Sequence, residues 1–155
     1  MHDIRLVLHN IRSAYNVGAI LRTAECVGVS MVYLAGYTPD PVDRFGRCRK
    51  DIAKAALGAE TMVHWKHEDD TALCVAGLKK DGVRVVALEQ HPRSVPHHTY
   101  IPHEPMALVV GEEVHGIPEE LIALCDDVIE IPLLGRKESL NVSVAAGIAL
   151  YRLIE

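Results

Sequence analysis

The sequence predicts an α/β domain with a mostly parallel sheet flanked by helices, and three observations carry that prediction. Short β-branched apolar runs recur along the chain. Amphipathic helical patterns lie between them. The 155 residues suit one domain with a core of its own. With 49% hydrophobic residues, a disordered chain is excluded. No repeat, low-complexity tract or linker interrupts the pattern, so 1–155 is read as a single domain.

"IRLVL" at 4–8 opens the chain as a strand. A helix is expected over 16–27, with Val17, Ile20, Leu21, Ala24 and Val27 on one face and Gly28 as its stop. "SMVYLAG" at 30–36 reads as the next strand, 50–57 as a short helix and "ETMVHW" at 60–65 as a third strand. A helix over 69–79 ends near Asp81-Gly82 and leads into the strand "VRVVALE" at 83–89. The stretch 91–105 holds Pro92, Pro96, Pro102 and Pro105 and is expected to be irregular. "MALVVG" at 106–111 and "DVIEIPL" at 127–133 complete the strands. Between these two, Pro118 begins a helix over 118–124, with Glu119 and Glu120 at its positive end. The last helix, 140–154, follows Ser139 and Asn141, which suit a helix start. It is apolar on nearly every side and is expected to be buried in the core or against a second subunit.

Ligands of open parallel sheets bind at the carboxyl ends of the strands. Here those ends are "LEQH", "VGEEVHG" and "IPLLGRKESLN", and they predict a pocket made largely of backbone. Neither GxGxxG after the first strand nor GxxxxGK followed by Ser or Thr is present, so the usual dinucleotide and nucleoside triphosphate fingerprints are lacking. No apolar run is long enough to span a bilayer, and the charged start is unlike a secretion signal. Cys26, Cys48, Cys74 and Cys125 form no close pair, which suits a reduced, cytoplasmic protein. His64 and His67 lack a matching set of ligands, so no metal is expected. The net charge of −5 argues against nucleic acid unless the basic residues cluster. They do cluster in "DRFGRCRKDIAK" at 43–54, where Arg44, Arg47, Arg49, Lys50 and Lys54 surround Phe45. This is a solvated loop or an RNA contact, with Arg12, Arg22, Arg136 and Lys137 able to extend the surface.

Three segments, "NIRSAYNVGAILRTAECVG" (10–28), "LVVGEEVHGIP" (108–118) and "IPLLGRKESLNVSVAAGIAL" (131–150), together resemble the signature motifs of the SpoU/TrmH-type RNA ribose methyltransferases of the SPOUT superfamily. Taken alone, Asn16 reads as a helix cap and Arg22 as a solvated residue. In the resemblance, Asn16, Arg22, Ser139 and Asn141 match the catalytic pattern, and Gly111, Glu113 and Gly116 match the second motif. The resemblance implies S-adenosylmethionine as donor and a ribose 2′-hydroxyl as acceptor. It further implies a homodimer and a C-terminal trefoil knot. Leu88, Ile131, Leu133, Gly135 and Leu140 are placed around the donor with Gly111, Glu113 and Gly116, and Glu113 is expected to support the site or the dimer. Transfer RNA is the favoured acceptor. The alternatives are ribosomal RNA, methylation of an RNA base, or a binding module without turnover.

Overall fold

The computed structural model describes residues 2–155. Seven strands form one sheet: β1 (Ile4–His9), β2 (Met31–Ala35), β3 (Trp65–Glu68), β4 (Arg84–Leu88), β5 (Val95–Pro96), β6 (Met106–Val110) and β7 (Asp127–Glu130). Their order is β3-β2-β1-β6-β4-β7-β5, and every pairing is parallel. The helices are α1 (Ala14–Val27), α2 (Lys50–Ala56), α3 (Thr71–Lys80), α4 (Glu119–Ile122) and α5 (Val142–Leu153).

A parallel sheet must be covered on both faces, and alternation along the strands divides the core accordingly. Ile4, Leu6 and Leu8 of β1 and Met106, Leu108 and Val110 of β6 point toward Leu21 of α1, Ile52 of α2 and Leu150 of α5. Val7, Ala107 and Val109 face the other way, toward Val75 and Leu78 of α3 and Leu121 and Ile122 of α4. Each fully buried Leu or Ile here contributes on the order of 1.5–3 kcal/mol.

Local chemistry sets the helix ends. The Ser13 hydroxyl accepts from Asn16 N at 3.2 Å to cap α1, and Gly28 ends it at φ 80°. Asn16 is therefore inside the helix, and the cap three residues earlier is a serine. Asp70 caps α3 through Leu73 N. Asn141 caps α5, which leaves Ser139 in the preceding loop. α1 and α2 meet at Gly18, where a side chain would run into the Ile52 carbonyl.

Two stretches differ from the sequence expectation. The run 60–65 is not a strand. Ala59–Thr61 is a 3₁₀ turn after Leu57 and Gly58, both at positive φ, and β3 begins only at Trp65. β3 is the edge strand "WKHE". Edge position tolerates its charges and erases the apolar signal that would have marked it. The proline-rich stretch 91–105 holds the short strand β5 and a 3₁₀ turn over His97–Thr99. β5 lies at the opposite edge, where Pro96 can sit without costing a ladder bond.

Candidate active site

The register aligns Leu8 with Val110, Ala87 with Val109 and Leu88 with Ile129. β4, β6 and β7 therefore end at one level, and the chain leaves them as three adjacent loops. Between these loops lies a cavity of about 650 Å³, a size that suits a nucleoside-sized ligand.

Much of its wall is backbone. Gly111 ends β6 so close to the Gly116 peptide that no Cβ fits, and Gly116 turns the loop back at φ 66° against the Glu89 carboxylate. A short bridge between Glu112 and Gly116 closes this loop on itself. Leu88, Gly111, Glu113, Gly116, Ile131, Leu133 and Leu140 line the cavity, and so do Ser139 and Asn141. Gly135 does not. It sits in the exposed outer part of the loop after β7.

Glu113, Asn16 and Asn141 form a linear relay that joins the three motif segments. The Glu113 carboxylate accepts from the Asn16 amide at 3.1 Å and from the backbone N–H groups of Arg12 and Ser13, each at 3.2 Å. The Asn16 carbonyl oxygen accepts from the Asn141 amide at 3.1 Å. The Asn141 oxygen then accepts from Ser143 N at 2.9 Å and caps α5. An ionised carboxylate only accepts, so Asn16 must turn its NH₂ toward Glu113 and its oxygen toward Asn141. That choice in turn directs the Asn141 oxygen to the helix. Burial would push the Glu113 carboxyl up, but the Asn16 amide and the backbone N–H groups outweigh it and hold the group below its ordinary value. Asn16 is only 5% exposed and its amide is committed within the relay, so it acts on the site through Asn141.

Glu89, Gln90, Glu112, Val114, His115, Glu130 and Glu138 also line the cavity. All but Glu130 lie in the strand ends "LEQH", "VGEEVHG" and "IPLLGRKESLN", although the sequence singled out none of them. The cavity wall thus carries Glu89, Glu112, Glu113, Glu130 and Glu138, and neither Lys nor Arg.

Arg22 is elsewhere. It is exposed on α1, six residues and roughly 9 Å along the helix axis from Asn16, and it does not line the cavity of its own chain. It shares a side of the domain with α5, which packs on α1 with Gly147 against the Thr23 methyl. Tyr15 of α1 and Val144, Ile148 and Tyr151 of α5 are exposed.

The basic segment is a tight turn. Asp43 accepts from the backbone of Phe45 and Arg47 and from Arg47 Nε at 2.9 Å, and Val42 bridges Cys48. Phe45 is exposed, with the guanidinium carbons of Arg44 and Arg47 at 4.8 and 4.9 Å from its ring centroid. Arg47 pairs with Asp43 and Arg49 with Asp51, whereas Arg44 and Lys50 have no ion-pair partner among the described residues. Arg12, Arg136 and Lys137 are exposed.

Comparison with known proteins agrees with this architecture. The model of the SpoU rRNA Methylase family matches residues 3–151. A tRNA (guanosine(18)-2′-O)-methyltransferase of Escherichia coli is 33% identical over 149 residues, covering 96% of this chain and 62% of the relative. The chain thus spans less than two thirds of that relative's length. An AdoMet-bound rRNA methyltransferase from Sinorhizobium meliloti superposes with a TM-score of 0.87 at 29% identity, over 99% of this chain and 57% of the other. A structure described for the 2-OH methylation of C/U34 on tRNA superposes with a TM-score of 0.83 at 28% identity, over 99% of this chain and 95% of the other. The chain belongs to the SpoU rRNA Methylase family.

Proposed function

We propose that this protein is an S-adenosylmethionine-dependent RNA 2′-O-ribose methyltransferase, acting as a homodimer on tRNA. The observation that carries this reading is the cavity wall, which joins glycine-rich backbone to five glutamates without Lys or Arg. Such a wall repels the phosphates of NAD or ATP and suits a sulfonium. Bound there, the donor supplies an electrophilic methyl group on a positively charged sulfur.

The chain's own residues have two tasks in an in-line displacement. Backbone at Gly111, Ile131 and Leu133 grips the adenosyl half, and the relay from Glu113 through Asn16 to Asn141 holds the loops at the distance alignment requires. Ser139, exposed on the wall beside Asn141, is positioned to meet the acceptor ribose. As the oxygen–methyl bond forms and the donor's sulfur–methyl bond breaks, the hydroxyl proton passes to solvent water, and Arg22 orients the hydroxyl, pairs a neighbouring phosphate and stabilises the developing alkoxide charge. Because it lies outside its own cavity on the α1/α5 side, it serves the cavity of a second copy. The exposed apolar residues of α5 support that side as the dimer interface.

In the same reading, residues 1–155 form a single SPOUT domain with a trefoil knot. What supports the knot is the return of the last segment across the 89–105 connection. Gln90 bonds the Glu138 carbonyl, and Arg152 of α5 donates to the carbonyls of His98 and Tyr100. A cytoplasmic setting accords with four free cysteines.

The RNA surface in this reading comprises Arg44, Arg47, Arg49 and Lys50 with Arg12, Arg136 and Lys137. The guanidinium groups of Arg44 and Arg47 both lie over the exposed Phe45 ring, so this Arg–Phe cluster offers a base a cationic stacking platform. Replacing Arg44, Arg47 and Lys50 by Ala is expected to weaken RNA binding. The slope of log affinity against log salt should shrink by up to about 0.9 for each phosphate of duplex-like RNA that the variant no longer neutralises. Arg47 should matter least, because Asp43 already neutralises it. Filter binding across a salt series reads this, and an unchanged slope would turn the segment away from the RNA.

The function itself is tested by incubating the protein with methyl-labelled donor and bulk RNA, then digesting to nucleosides. Label in a 2′-O-methylnucleoside of the tRNA fraction is the expected result. Label in ribosomal RNA moves the substrate, label on a base changes the reaction, and donor binding without transfer reduces the protein to a binding module.

A further inference from the structure

The two residues that follow β4 touch both loop walls of the cavity. Glu89 Oε2 accepts from Ile117 N at 3.0 Å and packs against Gly116, and Oε1 accepts from Gln90 N at 2.9 Å. Gln90 Nε2 donates to the Glu138 carbonyl at 2.8 Å. Among the described residues this is the one side-chain tie to residues 132–140, a stretch that is otherwise exposed and irregular. The loop after β6 is held at its far end by Glu89, whose carboxylate fills the space a side chain at Gly116 would need. One strand end therefore grips the second-motif loop with an acid and the third-motif loop with the amide that follows it.

We propose that Glu89 and Gln90 form a clasp that sets the width of the donor cavity, with both acting as positioning residues. The inference rests on the reading of this cavity as the sulfonium donor site. Glu89 fixes where the Gly116–Ile117 peptide stands. Gln90 fixes how far residues 132–140 stand from it, next to the anchor that Asn16 gives Asn141. A ligand gripped by both loops meets walls already at the right separation, so the ordering cost at binding is reduced. Without the amide of Gln90, residues 132–140 keep only the anchor at Asn141, and the ligand itself must order them.

The variants are Gln90→Ala, Glu89→Ala and Glu89→Gln in the full chain, each titrated with S-adenosylmethionine by calorimetry and assayed on RNA. Gln90→Ala is expected to weaken donor binding and raise the donor KM about tenfold, the scale of one neutral hydrogen bond. The kcat at saturating donor and the KM for RNA should stay unchanged. Glu89→Ala should weaken the donor further and remove hydrogen-exchange protection at the Ile117 amide. Glu89→Gln keeps one acceptor oxygen and should recover part of both losses. A lowered melting temperature with unchanged donor KM would make the pair merely structural and overturn the clasp. Equal donor affinity in all four proteins would overturn it as well. Wild-type protein that binds no S-adenosylmethionine would instead refute the proposed function, a result separable from either of these.

Discussion

Arg22→Ala is expected to slow single-turnover methyl transfer about 100-fold or more, the scale seen when a pre-organised transition-state donor is removed, while donor affinity by calorimetry stays near wild type. The side chain is exposed, and the buried stripe of α1, from Val17 through Ile20, Leu21 and Ala24, is left whole. Alanine is also the best helix former, so folding should survive. Arg22→Lys should recover little, because an ammonium cannot reproduce a planar two-pronged donor. The geometry adds a sharper test. Gly111→Ala places a methyl against the Gly116 backbone and should close the donor cavity. Refolded together, Arg22→Ala and Gly111→Ala chains form mixed dimers with one intact composite site. Site counting in a two-fold dimer gives roughly a quarter of wild-type turnover. A mixture as inactive as its components would return Arg22 to its own chain, and a monomer in sedimentation at micromolar concentration would remove the dimer altogether.

Glu113→Gln is expected to cost about 10- to 100-fold in donor affinity, although it changes one oxygen for one NH₂. An amide at this position cannot accept from Asn16, Arg12 and Ser13 together. It presents its own NH₂ to one of them, and the Asn16–Asn141 orientation loses the fixed acceptor that sets it. The pH dependence follows from the depressed Glu113 carboxyl. A carboxyl lower in the folded than in the unfolded chain stabilises above its ordinary value of about 4.3 and loses that contribution as pH falls through the folded value. Donor binding should therefore hold through neutral and mildly acidic solution and fail only below that range. In Glu113→Gln the acid loss of thermal stability between about pH 3 and 7 should be smaller, with the shares of Asp3, Asp51, Glu104 and Asp127 remaining. A variant that keeps wild-type affinity and the wild-type acid step would remove Glu113 from the site's support.

What was legible in the sequence depended on what each residue does. Strands buried on both faces announce themselves as apolar runs, and β1, β2, β4, β6 and β7 stand where those runs predicted. β3 and β5 lie at the two edges, where charge and proline are tolerated, and there the apolar signal fails. Glycines that line the cavity were readable because a close backbone approach needs them. Gly135 follows the same letter without the same constraint, since open space surrounds it. Asn16 and Asn141 stand out in their motifs, but their bond to each other does not. A hydrogen bond across so much chain has no periodicity to betray it. Arg22 is marked by its spacing from Asn16, and spacing along one helix cannot reveal that the two residues leave it in different directions. Glu89 and Gln90 lie in a strand end that the sequence places at the pocket, but that they hold its two loops shows only once those loops are seen side by side.

The Asn16–Asn141 bond joins positions 125 residues apart, and Glu113 reaches Asn16 across 97. Most of the chain must already be in its native path before either bond can form. Pairings of this sequence separation come at a high loop-closure cost, which slows the step that forms them. During synthesis, the first motif leaves the ribosome long before its partners exist. The first half of the sheet can assemble while the cavity is still unformed. Closure of the cavity is therefore expected among the last acts of folding, together with the docking of the terminal helix, so an incompletely folded chain lacks that cavity altogether.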